Sequence, residues 1–236
     1  MDRRHFTKIC SSMILTANAT PTALLAGSVG KDYQRSVLQS SGNTALLADE
    51  LVVGEPYLFF YPFVTTPCLL INLGTEIANS KAGAGDWAGG VGPDKSIVAY
   101  SAICSHKMSH PAREISFINY RHDPINFYSH DEGKTIEKSG LISCCSERSV
   151  YDPADGARVL GGPAPQPLAA ITLKHDAANG QLIATGSHGA DMYDRFFDKF
   201  GFRASLEHKV GDPKTLAGKT AVVQKLSDYS KQTIKC

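Results

Sequence analysis

The sequence contains two short stretches about forty residues apart, Cys104-Ser105-His106-Lys107-Met108-Ser109 and Cys144-Cys145-Ser146-Glu147-Arg148-Ser149-Val150-Tyr151-Asp152-Pro153. A Cys-x-His loop and a Cys-rich loop, separated by strand-like runs, form a pattern with which proteins hold an iron–sulfur cluster from two sides. A third stretch, Gly161-Gly162-Pro163-Ala164-Pro165-Gln166-Pro167-Leu168, has two glycines, three prolines and no charge. Because proline fixes φ and glycine permits close backbone approach, we expect this stretch to be a stiff loop that lies over the cofactor.

The two stretches resemble the ligand motifs of the Rieske [2Fe-2S] proteins, which read Cys-x-His-x-Gly-Cys and Cys-x-Cys-His-x-Ser-x-Tyr/Phe-Asp. Cys104 and His106 match the first two ligands of that family, and Cys144 matches the third. The resemblance implies a [2Fe-2S] cluster between the loops and hydroxyl groups that hydrogen-bond to its sulfur atoms. The residues that it places beside the cofactor are Ser149, Tyr151, Gly162 and Pro163.

The sequence departs from the Rieske pattern at one metal ligand and at both disulfide cysteines. Glu147 stands where the family has its second ligand histidine, and Ser109 and Ser146 replace the two cysteines of the disulfide that joins the loops in the family. Replacement of both cysteines leaves no unpaired thiol beside the cluster, which supports this alignment. No disulfide framework is evident among the other cysteines.

Glu147 determines the charge of the implied cluster site. Two thiolates and two neutral imidazoles leave an oxidised cluster near zero net charge, whereas a carboxylate in place of one imidazole adds a negative charge and makes reduction harder. We predict that Cys104, His106, Cys144 and Glu147 are the metal ligands. Two alternatives stay open: Cys145 supplies the fourth ligand through a shifted backbone, or Glu147 faces solvent and no cluster is bound.

The length, the net charge and the first residues limit the classes to which this protein can belong. The 236 residues can bury a core without disulfides, and a net charge of +1 gives no electrostatic reason to expect a nucleic-acid partner. Residues 1–30 begin with Asp2-Arg3-Arg4-His5-Phe6-Thr7-Lys8 and then lack charge, which predicts a twin-arginine-like export signal or a membrane anchor. Residues 31–50 are predicted to be a linker.

Residues 51–186 predict one all-β unit. The runs at 51–53, 57–64 and 68–73 are rich in β-branched and aromatic residues and are bounded by proline and glycine, as is typical of strands. Asn179-Gly180 predicts a tight hairpin turn between strands at 169–174 and 181–185. The resemblance implies an antiparallel β-sandwich with a cluster-binding subdomain.

Residues 187–236 lie outside the resemblance and are predicted to be a C-terminal extension. Aromatic residues at helical spacing in 192–202 predict a short amphipathic helix within it. Such a helix either caps the sheet or belongs to a docking tail, since a polar tail gains little by packing on its own domain.

The resemblance to the Rieske proteins implies an electron carrier rather than a complete enzyme. We expect a Rieske-type electron-transfer subunit on the periplasmic side, attached to the inner membrane. Its expected partners are subunits of a respiratory complex similar to quinol:cytochrome c oxidoreductases, such as cytochromes of the b or c type. Two alternatives remain: a structural subunit on the same fold without a cluster, and the small subunit of a molybdenum oxidase.

Overall fold

A computed structural model describes residues 30–78 and 87–236 of the chain. The predicted export signal or anchor therefore lies outside the described residues, except for Gly30 at its end. In the part of the chain that is described, no helix is both long and apolar enough to cross a membrane.

The described chain is all-β, with two α-helices and one short 3-10 helix at Ala48–Glu50. The all-β prediction is confirmed. In chain order the strands and helices are β1 (Gly30–Gln39), β2 (Pro56–Phe60), β3 (Pro67–Asn72), β4 (Ile97–Ser101), β5 (Ile115–Ser116), β6 (Ile118–Arg121), β7 (Ile125–Ser129), β8 (Lys134–Lys138), β9 (Leu141–Cys144), β10 (Ser149–Asp152), β11 (Arg158–Gly161), β12 (Ala170–Asp176), β13 (Gln181–His188), α1 (Asp191–His208), β14 (Thr220–Val222), β15 (Gln224–Lys225), α2 (Leu226–Tyr229) and β16 (Gln232–Thr233).

The largest sheet has eight strands in the order β14-β1-β13-β12-β4-β3-β2-β15. Its two outermost strands, β14 and β15, are separated in sequence by Val223 alone. The chain therefore passes from one end of the sheet to the other through one residue, and the sheet closes on itself. Closure leaves neither end of the sheet as a long unpaired edge.

Strands β2, β3 and β4 are buried on both faces, which explains their nearly continuous apolar sequences. Along β3, Leu69 and Ile71 belong to one hydrophobic cluster, whereas Cys68 and Leu70 belong to another. The same alternation places Val98 and Tyr100 in the first cluster and Ala99 in the second. Because successive side chains of a strand point to opposite faces, these strands separate two cores.

A second sheet, in the order β11-β10-β9-β6, supplies the other side of the first core. Ile118 of β6, Ile142 of β9 and Tyr151 of β10 pack in the same cluster as Leu69 of β3. The two layers form a β-sandwich, as predicted. Most pairings are antiparallel, but β1 pairs parallel with β14 and β16 parallel with β5.

The hairpin predicted around Asn179-Gly180 is present. Strands β12 and β13 pair antiparallel from Ala170 opposite His188 to Asp176 opposite Gln181. Gly180 has a φ of 73° and its N–H donates to the carbonyl of Asp176 at 2.7 Å, so glycine suits this turn position.

Residues 31–50 are not a linker, contrary to the prediction. Strand β1 pairs with β13 and β14 inside the large sheet, and Leu38 and Leu46 are buried in its core. The first half of β1 is polar and mostly exposed, so its sequence lacks the apolar run that marks the other strands. The domain therefore begins about twenty residues before the predicted boundary at 51.

The run at 51–53 forms no strand either, and only Val53 makes an isolated bridge, to Asn72. Strand β2 also ends at Phe60, before the predicted limit at residue 64, and Pro62, which has no backbone N–H to donate to a neighbouring strand, follows shortly after.

The C-terminal extension packs on the domain and completes the sheet. Helix α1 is longer than predicted, and it buries Met192, Tyr193 and Phe196 against Ile103 and Met108. Strands β14 and β15 then form the two ends of the large sheet. The expectation that this tail gains little by packing on its own domain is wrong, because its apolar residues are spaced to lie on one face of a helix.

Candidate metal centre

The thiols of Cys104 and Cys144 lie side by side in the core between the two sheets. Cys144 is the last residue of β9, and Cys104 follows β4 by three residues. Both residues are buried, with exposed fractions of 2% and 0%, and they share their cluster with Ile142 and Leu168. One thiol hydrogen-bonds to the other. The structure thus brings the two predicted cysteine ligands together in a dry environment.

Backbone amides of both ligand loops point at these sulfur atoms. We call residues 104–110 loop 1 and residues 144–149 loop 2. In loop 1 the N–H groups of His106 and Lys107 donate to the Cys104 sulfur, and in loop 2 those of Ser146 and Glu147 donate to the Cys144 sulfur. Hydrogen bonds from amides favour the thiolate, which is the form that binds metals.

The two thiols differ in acidity because they share one proton. The hydrogen bond from the Cys144 thiol, followed by those from the Tyr151 hydroxyl and the loop amides, lowers the pKa of Cys104 to about 6 against the effect of burial. The hydrogen bond to Cys104, together with burial, raises the pKa of Cys144 above its usual value. Close thiols of this kind titrate as a pair, and a bound metal ion would remove the remaining proton.

Two hydroxyl groups predicted to lie at the site are buried there. The Tyr151 hydroxyl oxygen lies 3.3 Å from the Cys104 sulfur and accepts a hydrogen bond from the N–H of Ser105 at 3.3 Å. The Ser149 hydroxyl is buried and has no hydrogen-bond partner within the described chain. An unsatisfied buried hydroxyl is costly, so an acceptor that the protein atoms do not provide fits at this position.

The second pair of predicted ligands, His106 and Glu147, meets at the protein surface. The His106 Nδ1 atom lies 3.0 Å from the Glu147 Oε2 atom, and their side chains are 26% and 35% exposed. The Nδ1 atom is buried and makes no hydrogen bond within residues 30–78 and 87–236. The other carboxylate oxygen of Glu147 pairs with the Lys107 ammonium group, whose hydrogen bond lowers the pKa of Glu147.

The spacing of this second pair suits joint coordination. Two ligand atoms that are each about 2.1 Å from one tetrahedral ion lie about 3.4 Å apart, as the bond lengths of zinc sites illustrate. The observed separation of 3.0 Å between His106 Nδ1 and Glu147 Oε2 is close to this value. Glu147 therefore contacts His106, and its coordination of a metal ion stays a prediction.

The stretch 161–168, which we call loop 3, lies against both ligand loops. A Cβ atom on Gly162 would be 2.2 Å from the carbonyl oxygen of Arg148, so only glycine permits this approach to loop 2. The Ser105 hydroxyl of loop 1 donates to the carbonyl of Gln166 at 2.6 Å. The predicted position of Gly162 is thus explained by packing, whereas Pro163 is exposed and its predicted contact with a cofactor stays a prediction.

The donor groups form two pairs rather than one set of four. Within the described chain, no group of three or more His, Cys, Asp and Glu side chains is arranged to hold one metal ion. A structural zinc site needs four such ligands around one ion, whereas a [2Fe-2S] cluster needs two ligands for each of its two irons. The thiol pair, the imidazole–carboxylate pair and the unsatisfied Ser149 hydroxyl together fit a two-iron group.

Cys145 is joined to Cys236 by a disulfide, with Cα atoms 5.6 Å apart. This bond rules out the alternative in which Cys145 is the fourth ligand, because a disulfide sulfur is not a thiolate. The chain therefore does contain a disulfide, although none was evident from the sequence. Sequence spacing gave no signal for the pair, whose members are 91 residues apart.

The sequence also gave no signal for Gln166 and Arg195 as parts of the site. The Arg195 guanidinium of α1 donates to the side-chain oxygen of Gln166 at 3.1 Å and to the carbonyl of Ser105 at 3.4 Å. Helix α1 thereby supports loop 1 and loop 3. Arg195 lies far along the chain from either ligand motif, and only its place in an amphipathic helix was visible in the sequence.

The fold and the site define a class: an all-β protein in which two loops bring together a buried thiol pair and an imidazole–carboxylate pair. Among solved structures, the chain is similar to the soluble domain of the Rieske protein II (soxF) from Sulfolobus acidocaldarius, with 28% identity and a TM-score of 0.44. The similarity covers 66% of this chain and 78% of that one. No protein-family model matches the sequence.

Proposed function

We propose that this chain is a Rieske-type [2Fe-2S] electron-transfer protein with an unusual ligand set. Cys104 and Cys144 would hold one iron, and His106 and Glu147 would hold the other. The observation that supports this most directly is the presence of two separate donor pairs, one buried and one at the surface. When bound, such a cluster supplies one-electron chemistry.

The surrounding residues of the chain would stabilise and tune this site. Amides of loops 1 and 2 already donate to both thiol sulfurs, and Tyr151 lies beside Cys104, so the thiolates need little reorganisation to bind iron. Hydrogen bonds to ligand sulfur raise the reduction potential. The Glu147 carboxylate acts in the opposite direction, since its negative charge favours the oxidised cluster. Lys107 partly offsets that charge through its ion pair with Glu147.

The side from which a redox partner would approach follows from the exposure of the two donor pairs. The two thiols are buried, whereas the His106 and Glu147 side chains are 26% and 35% exposed. A redox partner would therefore approach on the side of His106. One imidazole and a lower potential make this protein a weaker quinol oxidant than a two-histidine centre, which suits a variant carrier or a specialised subunit.

We place the protein on the periplasmic side, as a subunit of a membrane respiratory complex similar to quinol:cytochrome c oxidoreductases. The twin-arginine-like residues at the N-terminus support export, and the Cys145–Cys236 disulfide supports an oxidising compartment. A cytochrome of the b or c type would be its partner. Subcellular fractionation followed by co-purification from mild detergent tests both the location and the complex.

Iron and acid-labile sulfide content, with EPR of the reduced protein, tests the cluster. Anaerobically purified protein should contain about two irons and two sulfides and give a reduced-state EPR signal. Cys104→Ala and Cys144→Ala should each abolish iron binding, because each removes a thiolate ligand. Cys68→Ala is the matched control, since Cys68 is equally buried but, among the described residues, its thiol bonds to the backbone carbonyls of Tyr61 and Thr66 rather than to a ligand residue. Protein with neither iron nor sulfide contradicts the proposal.

One observation favours a second candidate, a structural subunit without a cluster. The Glu147 carboxylate already pairs with Lys107, and the two thiols already hydrogen-bond to each other, so both donor pairs are satisfied in part by protein atoms. A scaffold of this kind would be colourless after anaerobic purification. Its Cys104 and Cys144 thiols would react with alkylating reagents only after unfolding.

A further inference from the structure

The last residues of the chain form a strap that runs beside the segment leaving loop 1. We define the strap as residues 230–236. Strand β16 within it pairs parallel with β5, Gln232 opposite Ile115 and Thr233 opposite Ser116. On either side of β16, the Lys231 N–H donates to Arg113 and the Ile234 N–H to the carbonyl of Ser116, both at 2.9 Å. The strap is thus fixed along residues 113–116, which begin three residues after the end of loop 1.

The other end of the strap is covalently joined to loop 2. Cys236 forms the disulfide with Cys145, which lies between the ligand Cys144 and the surface residue Glu147. The Cys145 N–H donates to the carbonyl of Phe117 at 2.7 Å, so loop 2 also touches the same segment of backbone. The strap therefore connects the segment after loop 1 with the middle of loop 2.

The ligand loops have few other direct links in the described parts of the chain. The thiol pair of Cys104 and Cys144 is one, and the contacts of Glu147 with His106 and Lys107 are the other. Both use side chains that iron would engage. A further link joins loop 1 to β10, where the Tyr151 hydroxyl, two residues beyond loop 2, accepts from the Ser105 N–H. Ser109 and Ser146 offer no covalent link between the loops. The spacing of the loops must therefore be set by groups outside the ligand set.

We propose that the strap is a positioning element that holds loop 2 in place, so that Glu147 stays opposite His106 and Cys144 stays opposite Cys104. This inference rests on the proposed [2Fe-2S] function and adds to it a role for the disulfide and the C-terminus. The strap acts through the backbone of loop 2 and touches neither iron. Through the disulfide, residues 230–236 thus support loop 2.

The test in the iron-loaded protein uses the double variant Cys145→Ser/Cys236→Ser, which opens the strap without creating a free thiol beside Cys144. We expect iron release to a chelator to become about tenfold faster, in the range that outer-shell changes cause in metal affinity. We also expect an altered EPR spectrum. Lys174→Ala is the control, because Lys174 is exposed on β12, outside the strap and all three loops, and the variant keeps the disulfide. Release at the wild-type rate with an unchanged spectrum overturns the proposal.

The test in the metal-free protein is amide hydrogen exchange, which separates this proposal from the proposed function. Opening the strap should speed exchange at residues 145–149 and leave β2 and β3 unchanged. The metal-free wild-type protein treated with a phosphine, which reduces the disulfide to two thiols, should behave in the same way and avoids any folding defect of the variant. If the wild-type protein binds no iron, only the proposed [2Fe-2S] function is contradicted. If exchange at 145–149 is unchanged in both samples, the proposed positioning role of the strap is overturned.

Discussion

Glu147 is the residue on which the charge of the proposed site depends. Its carboxylate lies between His106 and Lys107, so it faces both the imidazole nitrogen of a proposed ligand and a cation. The Lys107 ammonium group lowers the pKa of Glu147, which keeps the carboxylate ionised at neutral pH. An ionised ligand places one more negative charge at the cluster than an imidazole would.

Glu147→His should therefore raise the midpoint potential of the cluster, by on the order of 100 mV, because it restores a neutral ligand and moves the site towards two-histidine centres. A redox titration followed by EPR measures the shift. Glu137→His is the matched control, since Glu137 is exposed on β8. If the Glu147→His protein keeps the wild-type midpoint and spectrum, Glu147 is not a ligand.

Gly162 is the residue on which the approach of loop 3 to loop 2 depends. Its φ is +79°, and a Cβ atom there would lie 2.2 Å from the Arg148 carbonyl oxygen. Gly162→Ala should lower the free energy of unfolding by about 2–4 kcal/mol, since strain and a backbone clash add together. Urea denaturation of the metal-free protein measures this loss.

Gly211→Ala is the control for that substitution, because no atom lies within 4 Å of a Cβ built on Gly211. A change within about 0.5 kcal/mol is expected for it. If the two variants were equally stable, loop 3 would be able to move away from Arg148 at no cost. The close packing of Gly162 would then not hold loop 2 in place.

The site was predictable to the extent that its residues sit in local motifs. Cys104, His106 and Cys144 stand in two short stretches with recognisable spacing, and the structure brings the two thiols together. Gln166 and Arg195 meet loop 1 only through tertiary packing. No local pattern encodes such contacts.

Helix α1 is the element that links the C-terminal extension to loop 1. Its residue Phe196 is fully buried, and the Phe196 ring lies 5.1 Å from the His110 ring of loop 1, measured between centroids. Burial lowers the pKa of His110, whose ring Nδ1 also contacts the carbonyl of Met108 at 2.8 Å. The helix thus covers the outer side of loop 1 with an apolar surface.

Phe196→Ala should destabilise the protein by about 3–5 kcal/mol, because it leaves a cavity under loop 1. Phe202→Ala is a control on the same helix, where Phe202 is 82% exposed, and it should change stability by no more than about 0.5 kcal/mol. Denaturant curves of both metal-free variants provide the comparison. Near-equal curves would mean that α1 is a detachable tail, as the docking interpretation of the sequence supposed.

Strand prediction succeeded or failed according to how each strand is buried. Strands β2, β3 and β4 separate two cores and carry continuous apolar runs, so composition alone marks them. Strand β1 buries mainly its end and takes its place by pairing with β13 and β14, which lie far away in sequence. Pairing between distant segments leaves no local signal, and β1 was therefore mistaken for a linker.

At the scale of the whole molecule, the first described strand and two strands of the C-terminal extension complete one sheet. Strand β1 near the N-terminal end of the described chain pairs with β14, and β15 pairs with β2. Val223 stands between β14 and β15 and its N–H donates to the carbonyl of Gln39 at 2.7 Å. The ligand loops therefore rest on a scaffold whose integrity depends on residues from the C-terminal extension.

Val223→Ala should accordingly weaken the whole domain, by roughly 2 kcal/mol, because Val223 is 4% exposed in the core that the large sheet encloses. Its neighbour Val222 is 45% exposed, so Val222→Ala is a matched control with little expected effect. Unfolding followed by tryptophan fluorescence at Trp87 and by circular dichroism should give one coincident transition in both variants, since closure joins the sheet into one cooperative unit. An early, separate transition of the C-terminal extension in the wild-type protein would show that the sheet opens independently and that closure does not stabilise the scaffold of the ligand loops.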